Sequence, residues 1–197
     1  KKEEDPSAMK KIQMKWERNG YTLRTFEDGK AEKYYQDCFT KTDTEVYRLT
    51  GTAGAFTHDQ IIQYYDRIVD DPARYDFIIT DPNGTYIGES VINEIDWEVK
   101  SANFRIIIFD SGNCSKGIGT WAVQCTRDFA FEKLKLHRLE LDVFSFNHRA
   151  RNVYQKAGFK TEGIRRDAIF DNGKYADDIL MAILEDDWRE LKNKQQK

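Results

Sequence analysis

Residues 103–109, NFRIIIF, carry Phe104, Ile106, Ile107, Ile108 and Phe109 in near-unbroken succession. A strand with apolar side chains on both sides of its pleat has to be covered on both faces. That requirement puts a sheet inside the fold with helices on either side of it. The flanking sequence supplies candidates for those helices. Residues 58–69 place Ile61, Ile62, Tyr65 and Ile68 on one side at helical spacing. Residues 119–134 do the same with Ala122, Cys125, Phe129 and Ala130. A third helix has Ala150, Val153, Tyr154 and Ala157 on one face, between Asn147 as N-cap and Gly158 as the left-handed terminal glycine.

Turn chemistry orders the strands. Asp81-Pro82-Asn83-Gly84 is a strong turn between apolar segments at 75–80 and 86–95. Asn172-Gly173, between Ile169-Phe170 and residues 175–184, favours a type I′ hairpin. Leu139, Leu141 and Val143 alternate with Glu140 and Asp142, a period-two strand. A first strand is expected at 21–26, then a helix capped by Asp28 and running to about Thr40. The order is strand, two helices, three strands, helix, strand, helix, two strands. This is a mixed α/β or α+β single domain around a central sheet.

Composition narrows the function classes. A chain of 197 residues suits one domain, and 12 Phe, 10 Tyr and 4 Trp furnish a core that a disordered chain lacks. The net charge is -3 and no basic stripe is visible, so no nucleic-acid partner is expected. No apolar run approaches the roughly 20 residues of a membrane span, so no membrane partner is expected. Residues 1–14 are polar and lysine-rich without a signal-peptide centre, which points to the cytoplasm. Cys38, Cys114 and Cys125 are odd in number and widely spaced, and His58, His137 and His148 are scattered. Neither a disulfide framework nor a metal site is expected. Residues 1–20 read as an N-terminal arm with only Ile12, Met14 and Trp16 to dock it, and 189–197 as a polar tail that frays.

The chemistry concentrates at Cys114-Ser115-Lys116-Gly117-Ile118-Gly119-Thr120, between the doubly covered strand and an amphipathic helix. A helix N-terminus offers unpaired N–H groups and the positive end of its dipole, and two glycines admit an anion close to the backbone. Together they make an anion cradle. On the glycines alone, a tight strand-to-helix turn is an equal reading. The pattern is not a Walker A loop, because the lysine precedes the glycines. It also lacks the third glycine and the acidic ribose ligand of a dinucleotide fingerprint.

The loop is followed by Asp128-Phe129-Ala130-Phe131, Leu136-His137-Arg138-Leu139, Asn147-His148-Arg149-Ala150, Tyr154-Gln155-Lys156-Ala157-Gly158-Phe159 and Glu162-Gly163. This ordered series resembles the GNAT superfamily of N-acetyltransferases, most of all the branch with ribosomal-protein and spermidine N-acetyltransferases. The resemblance spans roughly residues 21–188. It implies a single domain over 21–188 with a mixed, mostly antiparallel sheet flanked by helices. It also implies acetyl-CoA as co-substrate, no metal, and direct transfer of the acetyl group to a primary amine. That amine belongs to a protein N-terminus, a polyamine or another small molecule. Relatives are often dimers, and the sequence leaves a homodimer open.

The resemblance also assigns roles. Ile107, Ile108 and Phe109, Ser115, Lys116, Gly117, Ile118, Gly119 and Thr120, and Asn147 and Lys156 are expected to hold CoA. Cys114 stands where the family has Gln or Arg, which moves the binding weight onto the loop backbone. Tyr154 matches the tyrosine beside the CoA sulfur and would donate a proton to the leaving thiolate. Backbone N–H groups of residues 105–109 would polarise the thioester carbonyl. Glu89, Glu94 and Asp96 are the candidate bases, with Glu89 preferred; its alternative is a plain ion pair with Arg105. Arg105 and Asp177 are expected on the acceptor side, Asp177 with a structural alternative. Residues 43–56 fall in the part of the fold that varies with acceptor. A CoA-binding sensor of the same fold without catalysis stays open as a second reading.

Overall fold

The computed structural model describes residues 11–114 and 116–195. These form β1 (Lys15–Arg18), β2 (Tyr21–Thr25), α1 (Ala31–Cys38), α2 (Thr44–Thr50), α3 (His58–Val69), β3 (Tyr75–Thr80) and β4 (Tyr86–Asp96). They continue with β5 (Ser101–Ile108), α4 (Ile118–Glu132), β6 (Arg138–Phe144), α5 (His148–Lys156), β7 (Lys160–Asp171), β8 (Lys174–Leu184) and α6 (Glu185–Gln195). The strands make one sheet in the order β1-β2-β3-β4-β5-β6-β8-β7. Every neighbouring pair is antiparallel except β5 with β6.

The doubly covered strand is β5. Phe104, Ile106 and Ile108 join Phe77, Ile79, Leu139 and Met181 in a core closed by Val123, Phe129 and Ala130 of α4, by Tyr154 of α5 and by Ala157 at its C-cap. Ile107 and Phe109 join Ile78 and Tyr86 in a second core under Tyr34 and Cys38 of α1 and Ile61, Tyr65 and Ile68 of α3. The sheet is therefore the middle of three layers.

Local chemistry fixes the helix ends. At α3 the Thr57 hydroxyl accepts from Gln60 N and the Gln60 side chain accepts from Thr57 N, a complete capping box. Asp43 caps α2 through the N–H groups of Glu45 and Val46, and Gly51 ends it at φ 67°. At the Asn172-Gly173 turn both residues have positive φ, 49° and 79°, the type I′ pattern.

Four elements differ from expectation. The arm expected over 1–20 is a strand from Lys15, with Ile12, Met14 and Trp16 packed on the first core; residues 1–10 lie outside the described residues. Asp28 does not cap α1, which starts at Ala31 without a side-chain cap, because its carboxylate is turned to Gly29 N at 2.8 Å. The helix α2 was not foreseen within 43–56. The tail expected from 189 continues α6 to Gln195. Trp188 anchors that helix by stacking on Phe131, while Trp188 Nε1 and Lys192 Nζ donate to Asp128 at 2.9 and 3.0 Å.

All three cysteines are free. Among the described residues no helix is long and apolar enough to cross a membrane, and no group of three His, Cys, Asp or Glu is placed to hold a metal ion.

Phe129 is 2% exposed and meets Trp16, Tyr75 and Phe77 with ring centroids 5.1–6.1 Å apart. Phe129→Ala is expected to destabilise the fold by about 3–5 kcal/mol in chemical unfolding. A loss under about 1 kcal/mol would mean that α4 is not fastened to the sheet through this ring.

Candidate active site

The site begins where the one parallel pair fails. β5 and β6 pair only at Ser101↔Arg138, Ala102↔Leu139 and Asn103↔Glu140. Beyond them β5 keeps β4 as its neighbour, through Ile108 opposite Gly88, and β6 keeps β8, through Phe144 opposite Asp178. The two strands separate around a cleft of about 610 Å³. On one face of the sheet Val123, Ala150, Val153 and Tyr154 line it, and on the other Val46, Leu49 and Thr50 of α2. The cleft edge of β5 from Phe104 to Ile108 thus presents main-chain N–H and C=O groups with no strand partner among the described residues. Such groups demand a partner once water is displaced.

The loop closes one end of the cleft. Gly117 has φ 75° and leads into α4, whose first turn has no side-chain cap among the described residues. A Cβ placed on Gly117 or on Gly119 would meet nothing within 4 Å among the described residues, so the space above both is open to that extent. Cys114, Gly117, Gly119 and Thr120 line the cleft. Open space, uncapped helical N–H groups and a free strand edge together fit an elongated ligand with a phosphate-bearing end.

Ile107 and Ile108 also line the cleft. Four expected CoA residues do not. Ile118 and Phe109 are buried at 4% and 7% exposure, each fastened into one of the two cores. Lys116 is exposed and its Nζ donates to Asn113 Oδ1 at 3.3 Å. Lys156 is exposed at the last turn of α5. Ser115 lies outside the described residues. Asn147 lines the cleft while committing both ends of its amide: Oδ1 accepts from Ala150 N and Nδ2 donates to Leu49 O, each at 3.2 Å. It caps α5 and ties α2 to it in one side chain.

Of the three candidate bases only Glu89 faces the cleft. Glu94 sits at a β-bulge with φ 54°, and Asp96 accepts from Glu98 N and Val99 N in a turn. Glu89 follows Gly88, where an added Cβ would come within 2.5 Å of Ile107 O, so glycine permits the close approach of β4 and β5. Glu89 is 6% exposed. Tyr34 Oη donates to its Oε2 at 2.5 Å, and Arg105 Nη2 lies 3.9 Å from its Oε1. Burial raises the Glu89 carboxyl above the ordinary range, Arg105 opposes that, Asp76 adds to it and Tyr34 opposes it. Arg105 is held in turn by Tyr64 Oη at 2.7 Å.

Tyr154 approaches from the opposite face. It is 7% exposed and stands edge-on to Phe104 and Phe159. Burial, then the Asp142 carboxylate, raises its phenol, which stays protonated. Asp177 is not part of the cleft. Its Oδ1 accepts from Asp167 N at 3.0 Å beside the bulge of β7, and its main chain is bonded to Ser145. This is its structural alternative, set by the bulge. Sequence reasoning missed Tyr34, Asp142 and the roof α2. The Asp43 cap and Gly51 could have marked α2, but nothing local marks Tyr34, which is an ordinary aromatic position on a helix face.

A family model described as an acetyltransferase (GNAT) domain matches residues 21–160, and the chain belongs to this family of N-acetyltransferases. A Bacillus subtilis protein named "Probable N-acetyltransferase YjcK" is 34% identical over 128 residues, 65% of this chain and 71% of the relative. A Vibrio cholerae spermidine N(1)-acetyltransferase is 32% identical over 127 residues, 64% of this chain and 73% of the relative. The crystal structure of spermidine N-acetyltransferase from Vibrio cholerae in complex with CoA and spermine aligns with a TM-score of 0.76 at 26% identity, covering 87% of this chain and 99% of that one. GNAT enzymes use acetyl-CoA.

Asn147→Ala is expected to lower stability by about 0.5–2 kcal/mol, the usual loss for an N-cap, read as a shifted denaturant midpoint at constant slope. An unchanged midpoint would contradict the double role of this side chain.

Proposed function

We propose that the cleft binds acetyl-CoA with its pyrophosphate over residues 114–120 and its pantetheine arm along the free edge of β5. The acetyl group then passes directly to a primary amine entering beneath α2. The observation that carries this reading is the meeting, in one gap of the sheet, of a protonated phenol and a buried carboxylate from opposite faces.

The chemistry assigns the two groups. An amine with an ordinary pKa of about 8 for an α-amine, or about 10 for a side-chain amine, must shed a proton before it attacks. Glu89 accepts that proton, and its raised affinity for protons suits a base working near neutrality. Tyr154 donates toward the departing sulfur, where burial that raises the phenol also raises the thiol. The N–H groups on the open edge of β5 polarise the thioester carbonyl.

The Vibrio cholerae relative acts on spermidine. For this chain we propose a primary amine as acceptor, on a polyamine, another small molecule or a protein N-terminus. A CoA-release screen over polyamines, aminoglycosides and N-terminal peptides tests this. At least one acceptor class is expected to release CoA. Tight acetyl-CoA binding with no release from any member would replace the transferase reading by a sensor.

Two variants check the roles. Tyr154→Phe is expected to lower kcat about 100-fold while the Kd for acetyl-CoA moves less than threefold. Unchanged turnover would remove Tyr154 from the chemistry. The base works only when ionised, so kcat/KM is expected to fall as pH drops through the Glu89 titration, above the usual carboxylate range. Glu89→Gln should abolish that limb; a pH profile identical to wild type would show that another group takes the proton.

A further inference from the structure

The two oxygens of Glu89 are not equivalent. Oε2 receives the 2.5 Å hydrogen bond from Tyr34, while Oε1 is the oxygen toward Arg105. Tyr34 is fully buried on α1, with its ring wedged among Phe26, Phe39, Tyr65 and Phe109 at centroid distances of 5.1–6.4 Å. A ring held on four sides leaves its hydroxyl one partner and one direction.

We propose that Tyr34 is a positioning residue of the transfer reaction: it occupies Oε2 of Glu89 and leaves Oε1, beside Arg105, as the atom that takes the amine proton. The proposal rests on the reading of Glu89 as the base. The protons are conserved: one leaves the ammonium nitrogen for Oε1, the freed lone pair attacks the thioester carbon, and as the carbon–sulfur bond breaks the thiolate takes the Tyr154 proton, which the second proton lost from nitrogen on amide formation replaces.

Charged and titratable groups reach Glu89 from every element around it. From α1 come Tyr34 and Cys38, both raised well above their ordinary range by burial and then by the Glu89 charge, so both stay neutral. From β3 comes Asp76, bonded to Arg74 at 2.6 and 2.8 Å. From α3 comes Tyr64, whose hydroxyl receives both Arg105 at 2.7 Å and Arg74 at 3.0 Å. Burial and Asp76 favour the neutral acid, whereas Arg105, Tyr34 and Arg74 favour the anion. Tyr34 is the only one of these donors in hydrogen-bond contact with the carboxylate among the described residues. A hydrogen bond to a charged group is stronger than one between neutral groups, so its removal shifts the balance toward the acid.

The test titrates the full chain carrying ¹³C-labelled glutamate, with the Glu89 carboxyl resonance assigned by its loss in Glu89→Gln. Tyr34→Phe keeps the ring and removes the hydroxyl. The Glu89 midpoint is expected to rise by about one pH unit, a tenfold change in ionisation that corresponds to about 1.4 kcal/mol. With the best amine from the screen, the acid limb of kcat/KM should move up by the same amount while the alkaline plateau stays within about threefold. An unmoved midpoint, or a loss of activity equal at every pH, would reduce Tyr34 to packing and overturn the proposal. If Tyr34→Phe does not fold, the wild-type protein still decides. The Tyr34 hydroxyl proton should appear far downfield and vanish in Glu89→Gln, and its absence overturns the proposal. An unmoved midpoint beside an inactive Glu89→Gln defeats this inference alone. A Glu89→Gln enzyme with an intact acid limb defeats the reading of the base.

Discussion

Three residue pairs hold β5 to β6, and then the strands part. The proposed function depends on that interruption. A continuous parallel ladder would satisfy every main-chain group and leave no cavity. Stopping it after Asn103 leaves half of β5 with an unmet edge and opens a passage through the sheet. The helices make the gap durable. Val123 of α4 and Ala150, Val153 and Tyr154 of α5 fill one side, and α2 roofs the other, with Asn147 joining the two. Gly51 belongs to the same arrangement, since a Cβ there would come within 2.8 Å of the Phe144 ring. In the proposed function a ligand along β5 would supply the missing strand partner, the same main-chain logic by which peptides add to sheet edges.

Because the gap passes through the sheet, it joins two environments that are otherwise kept apart. Tyr154 belongs to the core under α4 and α5, and Glu89 lies on the side of the core under α1 and α3. Each is buried, and burial pushes each toward its protonated form. They differ in their neighbours. Tyr154 has the Asp142 charge nearby, which keeps the proton in place, whereas Glu89 has Arg105 and Tyr34, which make the anion accessible. The proposed acid and the proposed base thus differ in their partners rather than in their burial.

Much of the scaffold was legible because it rests on local rules. The span of α3 follows from the Ile61, Tyr65, Ile68 stripe, and the Asn172-Gly173 hairpin from the positive φ that only such residues accept readily. Tyr154 and Gly119, singled out through ordered motifs, both line the cleft. Three kinds of feature escaped. β1 and α6 are polar segments held by a few anchors, Trp16 and Trp188, which periodicity cannot weigh. Phe109, Lys116 and Ile118 lie next to cleft residues in sequence and Lys156 two positions after Tyr154, but Phe109 and Ile118 turn into the cores, Lys116 toward Asn113 and Lys156 to the exposed surface. Tyr34 meets Glu89 across 55 positions, a contact that exists only after the sheet and α1 have packed.

The central claim is that acetyl-CoA completes the open edge of β5 and sits on the N-terminal turn of α4. Amide hydrogen exchange of the full chain, with and without saturating acetyl-CoA, tests it most directly. The account predicts slowed exchange concentrated in residues 104–108 and 117–121, with β2 and β3 unchanged. Saturable binding that leaves both segments exchanging at their free rates would contradict it.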